Sequence, residues 1–493
     1  MPKQGCIYGI SMRKIIVLLL LLILIAPSML LLLPATVEAK TIVVPDDYST
    51  IQEAIENASN GDTISVKGGR YFGNIIVDKS VQILGDSPST TTVYGVYEDQ
   101  DENAFQINAD NVVIANLNVV NDNSYAYGIG VSPSGCHVRN NALTGRGKAI
   151  RAEDCSDVNI IGNTFSGVDS CIWLNKVYGG TISENIIPNE YSYIIVATHS
   201  SDVVISNNDM SGSSGEYVIR ESSTFLVQNN TLGSGSITLL QSPHCSFLDN
   251  TAQNPNDRFI IEESPATQFK RNSFSSAFGV FGYTLADFTN DIDISNTINA
   301  KPIYYLMSQN NLEINPETYP NIGYLAIVNS RNVKVSKLSL SNNLHGILLA
   351  FTTNSEIAEN NLSGNDNGIL LACDSNWNSI SMNTLDKNGV GIRVYDSSDN
   401  NIFRNEINQS SNAIWLELAL NNRIVGNNIL NDGEVLHIVN AKGNTIYHNN
   451  FINYRFTTSY SPGTGNIWTD GYFGGGNYWG YSGIDEKSGP SQG

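Results

Sequence analysis

An all-β solenoid, wound as a single-stranded parallel β-helix, is the fold this sequence predicts, and two observations predict it. One is a hexapeptide, apolar-x-x-Asn-x-apolar, that returns about every 22 residues through nearly all of the chain. The other is composition: 62 of 493 residues are Asn and 42 are Gly, while charged residues make up 15% against a usual value of about 25%. Hydrophobic residues at 41% suffice for a core, which excludes wholesale disorder. A net charge of -20 argues against nucleic acid or an anionic lipid surface as partner.

The chain opens on an address. Lys3, Arg13 and Lys14 precede an apolar run from Ile15 to Leu33, and Val37-Glu38-Ala39 supplies small residues at the -3 and -1 positions of a signal-peptidase site. Residues 1–39 are expected to be a signal peptide or an N-terminal membrane anchor, so the chain is expected to be exported, with no other membrane contact. Beyond them, Cys136, Cys155, Cys171, Cys245 and Cys373 are odd in number and lack CxxC spacing. No disulfide framework is expected, and one opportunistic pair at most.

Residues 40–92 are expected to hold an N-terminal cap and the first coils. Ile51, Ala54, Ile55 and Ala58 share one helical face behind the capping box Thr50-x-x-Glu53, giving a short helix able to cover the first coil. Coils follow over 93–280, where the repeat places Asn141, Asn163, Asn185, Asn208, Asn230, Asn250 and Asn272, and again over 324–452, where it places Asn360, Asn383, Asn405, Asn427 and Asn449. Leu117 and Leu338 hold the same slot without the amide. Each repeat carries a second apolar run about twelve residues earlier, such as Gly346-Ile-Leu-Leu or Ala413-Ile-Trp-Leu, too short for a helix. Two or three short strands per repeat, joined by Gly, Asn and Ser bends, describe one coil. The repeated Asn is expected to take the left-handed conformation at a bend and to bond the next coil in a ladder. Stacked without interruption, roughly 17 turns would form a rod about 80 Å long. Over 281–323 the hexapeptide disappears, which predicts irregular coils or an insertion. Over 453–493 Trp468, Tyr472, Phe473, Tyr478 and Trp479 predict an aromatic lid among glycines.

Alternation along the strand before each Asn sorts its side chains into inward and outward columns. The outward columns contain Leu348, Ala350, Leu371 and Cys373, and two richer groups. One is Arg151 and Glu153 beside Trp173 and Asn175; the other is Arg393, Tyr395, Trp415, Glu417 and His437 on three consecutive coils. An exposed Trp flanked by Arg and a carboxylate offers a sugar ring an apolar face and charged partners for its hydroxyls. Both groups are therefore candidate ligand-binding sites, and Trp415 is expected to face solvent.

Catalytic motifs are absent: there is no GxGxxG, P-loop, HExxH, GxSxG or EF-hand loop. Glycoside hydrolysis ordinarily uses two carboxyl groups, and neither outward column sets one beside Glu417. Arg220 near Glu221 and Glu262 is the nearest alternative grouping. No convergent metal ligands are legible, since the adjacent pairs Cys136-His137 and His244-Cys245 lie coils apart; Asp99, Asp101 and Glu102 are the carboxylates a calcium site would draw on.

The repeat, together with Asp291-Ile-Asp-Ile-Ser-Asn-Thr297, Lys301-Pro-Ile-Tyr-Tyr305 and Gly476-Asn-Tyr-Trp479 followed by Asp485 and Gly489-Pro490, resembles the NosD-like group of the pectin-lyase-like superfamily over about residues 41–493. That group is abundant on archaeal cell surfaces. The resemblance implies a right-handed β-helix, export and a carbohydrate-related ancestry. Copper, or calcium, is implied by the resemblance alone, so no cofactor is expected from the residues. The expected function is binding of a polysaccharide or another cell-surface component without turnover. Polysaccharide lyase or glycoside hydrolase activity, and copper delivery, are the alternatives.

Overall fold

The computed structural model describes residues 39–480 apart from 97–101, 189–191, 253, 255–257, 276, 460–463 and 472–473. The expected leader up to residue 38 therefore lies outside the described residues, as do Asp99, Asp101, Tyr472, Phe473, Asp485 and Gly489-Pro490. Among the described residues no helix is long and apolar enough to cross a membrane.

Short parallel strands, each paired to the strand one coil later, build the unit that begins at Thr41. Registers are kept along the stack; Ile347 pairs with Ile369, Ile369 with Ile392 and Ile392 with Ile414. The inward residues fill the core, and Ile357, Ile380, Ile402, Ile424 and Ile446 are fully buried. At the N-terminal end the helix Ile51–Asn57 buries Ile51, Ala54 and Ile55, and both halves of the Thr50–Glu53 capping box form. At the other end Trp479 packs on Phe451 with ring centroids 4.4 Å apart, and Trp468 lies 6.4 Å from Trp479. Cys136, Cys155, Cys171, Cys245 and Cys373 are free and buried.

The Asn ladder forms, with one correction to its chemistry. From Asn141 through Asn163, Asn185, Asn208, Asn230, Asn250 and Asn272, each Nδ2 donates to Oδ1 of the next at 2.9 to 3.1 Å, ending on Asn296. A second run, Asn360, Asn383, Asn405, Asn427 and Asn449, ends on Asn477. The left-handed residue is not the Asn but the one before it: Asn140, Glu359, Met382 and Arg404 have φ of 55, 58, 54 and 55°. The Asn is selected because its amide is buried where backbone groups at the bend need partners. Leu117 and Leu338 begin the two ladders, each giving its N–H to the first Asn amide at 3.0 Å. Further ladders escaped the sequence, among them Asn400, Asn422 and Asn444 at a second bend, Asn343, Asn365 and Asn388 at a third, and the hydroxyls of Ser222, Ser242 and Ser264.

The uninterrupted stack is the second correction. Thr297 and Ile298 pair antiparallel with Pro302 and Lys301 across the two-residue turn Asn299–Ala300, whose φ values are 51 and 59°. Two left-handed residues in succession are what a tight hairpin requires. The sheet runs on through this hairpin with reversed strands, so its two faces serve two cores. In Lys301–Met307, Ile303 and Tyr305 join the first core while Tyr304 and Leu306 pack on the second. The next strands repeat the division: Tyr324, Ala326, Leu348, Ala350, Leu370 and Ala372 cover the end of the first stack, while Leu325, Ile347, Leu349, Ile369 and Leu371 fill the second. Leu348 and Ala350 are thus buried rather than exposed, and Leu371 points inward. The stacks approach closely at Gly279, where a Cβ would stand 2.7 Å from Leu344 Cβ.

Candidate functional site

Where the second stack emerges past the end of the first, the two enclose a corner. Its floor is apolar, with Ile260, Val280 and Phe281 from one side and Leu344, Leu370 and Ala372 from the other. The strand Arg258–Glu262 alternates, burying Phe259 and Ile261 and turning Arg258, Ile260 and Glu262 outward. Gly282 and Tyr283 follow the strand Ala277–Phe281 over the opening. From the second stack come Asp366, Arg393, Tyr395 and Glu417. The resulting cavity is about 420 Å³, enough for one or two sugar rings.

Parallel register sets Arg393 beside Trp415 and Tyr395 beside Glu417, and then Trp415 beside His437. Arg393 donates from one terminal nitrogen to Glu417 Oε2 at 2.9 Å, and its guanidinium lies 4.7 Å from the Trp415 ring centre. His437 closes the other face of that ring at 4.3 Å and holds the buried Glu434 at 2.9 Å. Trp415 is consequently half-buried, with its indole Nε1 shielded from water and unpaired, and it does not line the cavity. The expected solvent-facing platform is corrected: Arg393, Tyr395 and Glu417 reach the cavity, whereas Trp415 and His437 support them from behind. The aromatic surface facing the cavity is instead Tyr283 and Tyr395, with ring centroids 6.0 Å apart.

Charge in the corner is largely paired. Arg258 grips Asp366 with two hydrogen bonds of 2.8 and 2.9 Å. Burial, followed by the neighbouring Glu263, pushes the Glu262 carboxyl up. The Tyr283 phenol rises for the same first reason, reinforced by the field of Glu262, Glu263 and Glu417 and opposed by Arg393. Behind the cavity His345 is fully buried, its ring edge-on to Phe281 at 4.5 Å and its Nδ1 3.3 Å from the Asn367 amide. Burial and the Arg393 charge push its pKa down to about 3, so it stays neutral.

The columns of Glu417 hold no second carboxylate, but the carboxylates of Glu262 and Glu417 both line this cavity. Glu262 arrives from the other stack. Arg220, which the sequence grouped with Glu262, is two coils away with Leu240 in register between them, and Glu221 pairs with His199 at 2.7 Å instead. No periodic signal points to Arg258, Tyr283 or Asp366.

The other candidate group sits on a regular strand face. Arg151 pairs with Trp173 and Glu153 with Asn175 in register. Arg151 forms an ion pair with Glu153, and Asn175 Nδ2 donates to Glu153 Oε1 at 2.8 Å. These side chains satisfy one another on a flat surface, and Trp173, half-buried, meets Tyr193 edge-on at 6.4 Å.

Among the described residues no three His, Cys, Asp or Glu side chains converge as a metal site. The buried Cys155, Cys245 and Cys373 thiols are pushed up to about 12 by burial, which disfavours the thiolate that soft metals bind. Glu102, the described member of the calcium candidates, instead accepts from the Asn74 amide. The described donors do not fit copper.

Comparison with known proteins divides at the hairpin. The family described as periplasmic copper-binding protein (NosD) matches residues 288–483, and the right-handed β-helix region matches 89–232 and 148–315. No curated protein matches. Solved structures that are similar include the A-module of a mannuronan C-5 epimerase from Azotobacter vinelandii, at 12% identity over 84% of this chain and 91% of that one, with a TM-score of 0.22. A pectin methylesterase from Erwinia chrysanthemi shares 10% identity over 48% of this chain and 82% of that one, with a TM-score of 0.27. A tailspike protein of an Acinetobacter baumannii bacteriophage, a capsular polysaccharide depolymerase, shares 12% over 54% and 62%, with a TM-score of 0.33. Likenesses of this size add nothing to the functional reading.

Proposed function

We propose that this chain, which belongs to the NosD-like family of right-handed parallel β-helices, is an exported protein that binds a carbohydrate in the corner between its two coil stacks and does not turn it over. The supporting observation is the cavity of about 420 Å³ in which the rings of Tyr283 and Tyr395 stand over an apolar floor, bordered by Arg393, Glu417 and Glu262. Sugar rings stack on aromatic faces and bond charged groups with their hydroxyls. One observation favours a second reading: Glu262, whose carboxyl is pushed up, shares the cavity with Glu417, and such a pair could serve a glycoside hydrolase or a polysaccharide lyase.

Glycan-array binding by the exported chain, beside a reducing-sugar assay on every glycan that binds, tests both. Binding without release, weakened about tenfold or more by Tyr395→Ala, is expected. Release of reducing ends that disappears in Glu262→Gln would establish the second reading in its place. Binding unaffected by Tyr395→Ala would move the site away from the corner.

A further inference from the structure

We propose that the sugar held in the corner carries a free, protonated amino group, so that the ligand is an unacetylated amino-sugar polymer; this rests on the carbohydrate reading above. Three carboxylates and two guanidinium groups line the cavity. Four of the five are committed to one another, Arg258 to Asp366 and Arg393 to Glu417. Glu262 is left over. Half-buried on the cavity wall, it makes no side-chain hydrogen bond or ion pair among the described residues, whereas its neighbour Glu263 accepts from Gln241 at 3.0 Å.

A carboxylate that is partly desolvated and uncompensated calls for a cation or for several donors from whatever occupies the cavity. Tyr283 and Tyr395 stand on the same cavity wall, their rings inclined at 57° with centroids 6.0 Å apart. Ammonium groups are drawn to the faces of such rings, and an adjoining carboxylate adds to that attraction. The electrostatic surroundings of Tyr283 agree, since three carboxylates and one guanidinium act on its phenol. An acidic sugar would bring like charge to Glu262, and an acetylated amine would bring a neutral amide that leaves the carboxylate unmatched. Amine and ring together fit the two features of the corner, its charge and its aromatic wall.

Calorimetric titration of the exported chain with oligomers of glucosamine, with oligomers of N-acetylglucosamine and with cadaverine, at near-neutral pH, tests this. The expected result is glucosamine binding about tenfold tighter than that of the other two, with Glu262→Gln abolishing the preference at an unchanged melting temperature. Equal affinity for the two oligomers, or a preference that survives Glu262→Gln, overturns the amino-sugar assignment and leaves the carbohydrate reading standing. No binding by either oligomer likewise overturns the amino-sugar assignment alone, whereas cadaverine binding as tightly as the glucosamine oligomer overturns both.

Discussion

Arg258 and Asp366 stand 108 residues apart, yet both terminal nitrogens of the guanidinium donate to the carboxylate, at 2.8 and 2.9 Å. The pair bridges the last strands of the first stack to the second stack, on the rim of the cavity. Its partners come from elements that each have their own core, so the contact bears on how the corner is set more than on whether either stack folds.

Arg258→Ala should therefore change global stability by no more than about 1 kcal/mol, as expected for an exposed pair, while weakening carbohydrate binding severalfold. Thermal unfolding and ligand titration on the same sample check this. A large loss of stability with intact binding would contradict the assignment.

The ladder predicts a contrast between adjacent residues. Asn405 donates to Asn427 Oδ1 and Ile380 O at 2.9 Å and accepts from the Asn383 backbone and amide at 3.0 Å. Asn405→Val should cost about 3 kcal/mol or more because several buried partners are orphaned. Arg404, at φ 55°, carries the bend. Arg404→Gly should lie within about 1 kcal/mol of the parent, since relief of left-handed strain is offset by added freedom in the unfolded chain. Arg404→Val should be clearly destabilising. Denaturant titration of the three variants separates the amide from the bend.

Asp432 predicts a pH dependence. It is buried in the second stack, at a bend whose earlier coils carry the amides of Asn343, Asn365 and Asn388, and burial pushes its carboxyl up to about 7 despite its bond from the Ser410 N–H. The folded state keeps a proton that the unfolded chain releases near pH 4, so this group lowers stability as pH rises from about 4 to about 7 and no further above that, by about 4 kcal/mol in all. Asp432→Asn restores an amide to the ladder and should remove this slope, stabilising the protein at pH 8 but not at pH 4. Melting curves across that range would show it; an unchanged slope would contradict it.

Trp415→Ala should act on stability first. The ring is packed between Arg393 and His437 and lies off the cavity, so its removal should cost about 1 to 3 kcal/mol and disturb binding only through the loosened Arg393. Tyr395→Ala should show the opposite balance. Unfolding and binding measured together on both variants decide between the platforms.

The coil period, the two long Asn ladders, the helical cap and the inward columns outside the coil of Leu370 and Leu371 are determined by the sequence itself, because in a solenoid each residue's decisive neighbour lies one repeat away. A buried amide at Asn405 or Asn427 leaves a periodic mark for that reason. The left-handed position leaves a weaker mark: Asn140, Gly162, Asn207, Asn229 and Gly426 hold it, but so do Glu184, Glu359, Met382, Arg404 and His448, since the bend's hydrogen bonds impose the conformation on whatever residue stands there. Tertiary structure alone decided the reversal at Asn299–Ala300 and, through it, the site. Reversing the strands gives one sheet two cores, which buries Leu348 and Leu370 on its first-stack face and leaves Arg393, Tyr395 and Glu417 half-buried just beyond the covered part. Glu262 and Tyr395 line one cavity only because the end of one stack is closed by the flank of the other, an arrangement set by shape and burial between segments more than a hundred residues apart.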